Sequence, residues 1–206
     1  MKDKPLIKIC GLWRREDIES ANIADPDYIG FVFAESRRRV DIKTAADLKA
    51  GLKPHIKAAG VFVNETAEKI AEISSAEIID IIQLHGDEDD AYIKRLKAGV
   101  KLPVIKAIPM GGKPRETREA DFILLDTFDR EKRGGIGRAF EWELAKKVTE
   151  KIKLPFFLAG GLNEANLAEA ARIGPFCFDI SSGAETDGLK EREKMIRLVQ
   201  IVRGLQ

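Results

Sequence analysis

The chain is poor in cysteine and histidine, with two of each among its 206 residues. Cys10 and Cys177 are too few for a disulfide framework or a cysteine-rich zinc site. His55 and His85 are far apart in sequence and fit no usual metal-ligand spacing. No apolar run approaches the roughly 20 residues that span a bilayer, and no signal peptide precedes the charged N-terminal segment. We therefore predict no metal, no cofactor, no membrane association and a cytoplasmic location.

The chain also lacks a net charge of either sign. Its 35 Lys and Arg residues face 34 Asp and Glu residues, which leaves a formal charge of +1. This balance argues against a general nucleic-acid or membrane-surface binder, so an anionic ligand would need a local site. Hydrophobic residues make up 44% and charged residues 33%, as in ordinary globular proteins. With no linker or low-complexity stretch, we predict one domain over residues 1–206.

Eight short apolar runs are present. Several are continuously apolar, as is typical of parallel strands that are buried on both faces. The runs are Leu6–Cys10, Tyr28–Phe33, Ile56–Val63, Ile78–Leu84, Pro103–Ile108, Phe122–Asp126, Pro155–Ala159 and Phe176–Ser181.

Amphipathic segments with helical periodicity separate most of these runs. Asn64, Asp87 and Asn163 precede helical patterns and are predicted N-caps. Alternating strands and helices indicate parallel βα units, either in a (β/α)8 TIM barrel or in an open doubly wound sheet. Eight units in this length make a compact barrel, since roughly 250 residues are typical. The predicted helices include Asp17–Asn22, Ala45–Leu52, Ala67–Ile73, Asp89–Leu96, Phe140–Val148, Leu162–Ile173 and Glu191–Val202.

Glycine-rich loops follow the last three strands. In barrels the active site lies at the carboxyl ends of the strands, and the loops after the seventh and eighth strands commonly hold phosphate. Turn formation alone accounts for any one such loop, but three at one rim favour a phosphate held by backbone N–H groups. The predicted phosphate-binding residues are Gly135, Gly137, Gly160, Gly161, Ser182 and Gly183.

Two titratable groups end strands on nearly opposite sides of the predicted ring. Cys10 ends the first strand and Asp126 ends the sixth. A thiolate can remove a proton and a carboxylic acid can donate one, so the pair suits acid–base isomerisation. A lone cysteine is more often a small buried hydrophobe, and a lone aspartate is more often a cap or a salt-bridge partner.

Other polar residues follow the second and fourth strands. One arginine of Arg37–Arg39 can bind a carboxylate in bidentate fashion, although a basic run is usually a solvated face. His85 is either a substrate contact or a satisfied loop histidine. Cys177 lies within the eighth run and is interpreted as core.

The motifs at the strand ends, taken in order along the whole chain, resemble those of the phosphoribosylanthranilate isomerase family. Each piece alone is weak, but the full series at these spacings is specific. The pieces are Lys8–Leu12, Gly30–Phe33 with Ser36–Val40, Val61–Asn64, Gln83–Glu88, Leu124–Asp126, Gly134–Trp142, Ala159–Asn163 and Phe178–Glu185.

This resemblance implies a TIM barrel and a role for each site residue. It implies that Cys10 is the general base, that Asp126 is the general acid, and that Arg38 contacts an anthranilate carboxylate. Asp179 is implied to orient the sugar, and His85 is placed among the substrate contacts. The glycine loops are implied to bind phosphate through backbone amides.

The implied reaction is an Amadori rearrangement in tryptophan biosynthesis. It converts N-(5-phosphoribosyl)anthranilate to 1-(2-carboxyphenylamino)-1-deoxyribulose 5-phosphate without a cofactor, in a monomer or a homodimer. The rivals are a histidine-pathway or dual-specificity sugar-phosphate isomerase, and a non-catalytic barrel that binds a phosphate ligand. The rival isomerases use an aspartate where this chain has Cys10, and the binding-only barrel would lose the acid–base pair.

Overall fold

The computed structural model describes residues 4–109, 117–126, 149 and 153–205. Eight parallel strands close into a barrel in chain order, with the last paired to the first. This confirms the barrel and excludes the open sheet. The strands are β1 (Leu6–Cys10), β2 (Tyr28–Val32), β3 (Lys57–Phe62), β4 (Ile81–Leu84), β5 (Val104–Pro109), β6 (Phe122–Asp126), β7 (Phe156–Ala159) and β8 (Cys177–Ile180).

Helices follow most of these strands and cover the outside of the barrel. The last helix packs against both the first helix and β1, which closes the ring of helices. No helix in the described part of the chain is long and apolar enough to cross a membrane. The predicted helix Phe140–Val148 lies outside the described residues. The helices are α1 (Arg15–Ala24), α2 (Ile42–Ala50), α3 (Ala67–Ser75), α4 (Asp90–Gly99), α5 (Leu167–Ala170) and α6 (Arg192–Gly204).

The three predicted N-caps are wrong. Thr66 and Asp89 cap α3 and α4, and the side chain of each accepts a hydrogen bond from the backbone N–H three positions further on. Asn64 instead accepts from the backbone N–H of Asp87, which ties two loops together. Asn163 accepts from Ala165 and forms a local turn before α5 begins.

Side chains along each strand alternate between the barrel interior and the helices. The interior is apolar near the amino ends of the strands, where the ring of Phe157 meets those of Tyr28 and Phe122 edge-on at 5.9 and 5.7 Å. Cys177 is fully buried in this layer, so its interpretation as core is confirmed. Polar side chains collect at the carboxyl ends, so the packed lower layers support a polar site above them.

A short extension follows β8 before the last helix. It contains a 3-10 turn (Ser182–Ala184) and a hairpin of β9 (Glu185–Thr186) and β10 (Leu189–Lys190). This hairpin places Glu185 and Lys190 beside the loop that follows β2, as the contacts below show.

Candidate active site

The first strand and the last strand bring three titratable residues together inside the barrel. Lys8 lies directly beside Asp179 in the β1–β8 register, and its Nζ donates to both carboxylate oxygens at 2.9 Å. Lys8 and Cys10 are two positions apart, so both point inward. Lys8 is fully buried, and both Cys10 and Asp179 are almost so. The base and the sugar-orienting residue expected from the sequence therefore share one buried cluster.

Burial raises the pKa of the Cys10 thiol above its ordinary value of 9.0. The ammonium groups of Lys8 and Lys190 act in the opposite direction, because each favours the thiolate, whereas the Asp179 carboxylate opposes it. Ionisation of Cys10 to the thiolate therefore depends on the ammonium groups beside it.

Gly30 makes room for this cluster on the neighbouring strand. It pairs with Cys10 in the β1–β2 register, and a methyl carbon added there would lie 2.7 Å from Cys10 Sγ. Next to it, Ser181 Oγ donates to the carbonyl oxygen of Cys10 at 3.2 Å. Gly30 thus leaves room for the Cys10 thiol, while Ser181 holds the backbone at the end of β1.

The predicted acid, Asp126, ends β6 and is partly exposed at the rim. Its Oδ2 lies 3.4 Å from Nε2 of His85. The other ring nitrogen of His85 lies 3.2 Å from Nε2 of Gln83, whose side chain is buried in β4. The structure therefore brings His85 beside Asp126, in a chain of polar groups from β4 to β6.

Arg38 makes the bidentate contact expected of one arginine in its run, but with a carboxylate of this chain. Its Nε and Nη2 donate to the two oxygens of Glu185 at 2.7 and 2.8 Å. Lys190 and Arg37 also donate to Glu185, at 2.7 and 2.6 Å. Burial works to raise the pKa of Glu185, but the hydrogen bonds from Arg38 and Lys190 outweigh it, and the pKa falls below its ordinary value.

The pair with Glu185 uses only one edge of the Arg38 guanidinium group. Glu185 occupies the Nε–Nη2 edge of Arg38, and a guanidinium group can bind another carboxylate through its Nη1–Nη2 edge. Gly11, with φ of 82°, lets the arginine stem pass close by, since a methyl carbon at Gly11 would lie 2.5 Å from Arg38 Cδ. Glu185 thus orients Arg38 beside the end of β1.

The predicted phosphate loops lie at the ends of the paired strands β7 and β8. Gly160 and Gly161 both have positive φ, 93° and 64°, a conformation that glycine adopts without strain. Ser182 and Gly183 begin the 3-10 turn, where a methyl carbon on Gly183 would lie 2.0 Å from the Leu162 carbonyl oxygen. These two loops therefore pack on each other, while Gly135 and Gly137 lie outside the described residues.

Sequence reasoning missed three residues of this site. Only Lys8 could have been noticed locally, because a lysine two positions before Cys10 is unusual in an otherwise apolar strand. Glu185 ends one of the family motifs, but its role and that of Lys190 could not be read from the sequence, because they arise from the hairpin and from the distant partner Arg38.

Comparison with known proteins identifies the family. Residues 7–201 match the family model described as N-(5'phosphoribosyl)anthranilate (PRA) isomerase. A relative from Endomicrobium trichonymphae, named N-(5'-phosphoribosyl)anthranilate isomerase, is 46% identical over 203 residues, which cover 98% of this chain and 100% of the relative.

Solved structures agree with the sequence match. Phosphoribosyl anthranilate isomerase from Thermotoga maritima has a TM-score of 0.82 at 31% identity, with 98% of this chain and 100% of that chain covered. A phosphoribosyl anthranilate isomerase in complex with reduced 1-(o-carboxyphenylamino)-1-deoxyribulose 5-phosphate has a TM-score of 0.79 at 30% identity and the same coverage. This chain therefore belongs to the N-(5'-phosphoribosyl)anthranilate isomerase family.

Proposed function

We propose that this chain converts N-(5'-phosphoribosyl)anthranilate to 1-(2-carboxyphenylamino)-1-deoxyribulose 5-phosphate in tryptophan biosynthesis, with Cys10 as the base and Asp126 as the acid. The observation that carries the proposal is the full-length match to the isomerase family. In support, both side chains lie at carboxyl ends of barrel strands, where barrel enzymes build their active sites.

The chemistry follows from the two groups. Asp126 donates a proton to the ribose ring oxygen, the C1–O bond breaks, and a Schiff base forms between C1 and the anthranilate nitrogen. The Cys10 thiolate then removes the proton from C2, which leaves an enolamine. Tautomerisation to the ketone adds a proton at C1 and releases the proton of the C2 hydroxyl. The substrate thus gains two protons, at the ring oxygen and at C1, and loses two, from C2 and from its hydroxyl, so no redox partner is required.

The substrate has three polar parts, which are its carboxylate, its sugar and its phosphate, and each would contact a different part of the site. Arg38 would bind the anthranilate carboxylate through its Nη1–Nη2 edge while Glu185 holds the other edge. Asp179 would contact the sugar with the lone pairs that Lys8 leaves, and His85 would lie beside the acid. Backbone N–H groups near Gly160, Gly161, Ser182 and Gly183 would bind phosphate, together with those of Gly135 and Gly137.

Two substitutions test the acid–base assignment. In Cys10→Ser and Asp126→Asn variants we expect turnover of phosphoribosylanthranilate to fall by roughly 100- to 10,000-fold, the usual contribution of a positioned acid or base. Affinity for the reduced product analogue should stay within a few-fold, because neither change removes the carboxylate or phosphate contacts. Cys177→Ser is the matched control, since this cysteine lies deep in the barrel.

Full activity of Cys10→Ser would exclude Cys10 as the base, and full activity of Asp126→Asn would exclude Asp126 as the acid. We also propose that the protein is cytoplasmic and that its assembled form is a monomer or a homodimer. Sedimentation of the purified chain distinguishes these two assemblies.

A further inference from the structure

We propose that Lys8 is a positioning residue for this reaction, because its buried ammonium group stabilises the thiolate form of Cys10 from beneath the site. The inference rests on the proposed function insofar as Cys10 is the base. Lys8 would not touch the substrate and would act through Cys10. The alternative is that Lys8 only neutralises the carboxylate of Asp179, to which it is hydrogen-bonded, and has no effect on Cys10.

The geometry places the two groups close together. A methyl carbon added to Gly30 would lie 2.7 Å from Cys10 Sγ and 3.2 Å from Lys8 Nζ, so these two atoms are no more than about 6 Å apart. An opposite charge within about 4–6 Å favours the ionised form of a titratable group. Because both side chains are buried, water screens their interaction weakly.

The structure also keeps Lys8 charged. Burial alone would lower the pKa of this lysine, but Asp179 and Cys10 outweigh burial and raise it above its ordinary value. Asp179 accepts from Nζ with both oxygens, which offsets the cost of burying an ammonium group. Lys8 thus remains an ammonium group when the Cys10 proton leaves.

The charges that face Cys10 come from three described elements. Lys8 lies on its own strand, Asp179 on β8 and Lys190 on β10, while Gly30 of β2 adds none. The Lys8–Asp179 pair has no net charge, but Lys8 favours the thiolate and Asp179 opposes it. Removing one partner at a time should therefore shift the Cys10 titration in opposite directions.

The test is a titration of Cys10 in the absence of substrate. In a Cys177→Ala background Cys10 is the only cysteine of the chain, so the ultraviolet absorbance of the thiolate reports its ionisation directly. Lys8→Gln should lower the thiolate fraction at neutral pH by about tenfold or more, as expected for the loss of a close opposite charge. An unchanged titration in folded Lys8→Gln protein would overturn the inference.

A second variant covers the case in which Lys8→Gln does not fold. Asp179→Asn retains a polar side chain, removes the opposing carboxylate, and should shift the titration to lower pH. No shift, or a shift to higher pH, would overturn the inference. Lys106→Gln is the matched control, because Lys106 is also a buried lysine in an ion pair, with Glu88 at 2.7 Å, and should leave the titration of Cys10 unchanged.

Turnover separates this inference from the proposed function. At neutral pH, Lys8→Gln should reduce kcat/KM for phosphoribosylanthranilate about as much as it reduces the thiolate fraction. A titration shift without a matching loss of turnover would overturn the catalytic part of the inference. If the unmodified protein did not turn over this substrate at all, the proposed function would fail, while the titration would still decide how Lys8 acts on Cys10.

Discussion

The pairing of Arg38 with Glu185 predicts that Glu185→Gln raises KM and destabilises the protein. Only 5% of the Glu185 side chain is exposed, and it accepts from Arg38, Lys190 and Arg37. The Arg37 side chain is 57% exposed, so its pair contributes at most about 1 kcal/mol. The Lys190 side chain is 1% exposed, and removing the partner of a buried charge costs about 3–5 kcal/mol.

Glutamine retains one oxygen acceptor, so we expect the free energy of unfolding to fall by about 3 kcal/mol. When Arg38 is no longer held in place, its contact with the substrate carboxylate weakens, and the binding free energy of the substrate should fall by about 1.5–3 kcal/mol. This raises KM by roughly 10- to 100-fold. The value of kcat should change less, because Arg38 does not take part in proton transfer.

Urea denaturation and steady-state kinetics measure the two effects. Glu191→Gln is the control, because this carboxylate follows the same hairpin but accepts from the exposed Thr186 hydroxyl and pairs with Lys194 at 3.6 Å. A KM that stayed the same or fell in Glu185→Gln would refute the reasoning. A lower KM would show that Glu185 competes with the substrate for Arg38, and an unchanged KM would show that Glu185 does not orient Arg38 for binding.

Three further predictions follow from close contacts and charge. Gly183→Ala should raise KM for the phosphorylated substrate and lower Tm, because the added carbon would lie 2.0 Å from the Leu162 carbonyl oxygen; unchanged values would show that the two loops are not packed as described. Gly30→Ala should lower kcat by about 100-fold or more, because the methyl group would displace Cys10 Sγ from its place. The control for the two glycine substitutions is Gly99→Ala, whose methyl group would meet nothing within 4 Å. Acidification should destabilise the native protein as the pH falls from the ordinary glutamate pKa of 4.5 through the lower folded pKa of Glu185. This assignment would be contradicted if urea melts showed that Glu185→Gln loses as much stability over this pH range as the unmodified protein does.

The eight strands could be predicted because barrel strands are buried on both faces and are therefore continuously apolar. Two of the predicted ranges, Leu6–Cys10 and Phe122–Asp126, match the structure to the residue, and the others differ at their ends. The helix starts were harder to predict. Asn64 and Asn163 have side chains suited to a cap, but they lie three and four residues before their helices begin and accept from backbone N–H groups of the loops instead.

The strand ends were enough to predict where Cys10, Asp126 and Asp179 lie, because the site position follows from the barrel itself. The ion pairs around them could not be predicted. Lys8 and Asp179 are separated by 171 positions, and Arg38 and Glu185 by 147. Such partners are defined only when β8 closes the barrel against β1 and the hairpin returns over the rim. The likeness of motifs to a family predicts residue roles, but it does not show which charges support them.

The most direct test follows anthranilate fluorescence while the purified protein acts on freshly made phosphoribosylanthranilate, with EDTA present and no metal added. We expect the signal to be lost at an enzymatic rate, and we expect EDTA to leave that rate unchanged. No loss of signal, under conditions in which a control isomerase converts the same substrate, would contradict the proposed activity. The barrel and its buried charge cluster would then have to serve the histidine-pathway substrate or ligand binding alone.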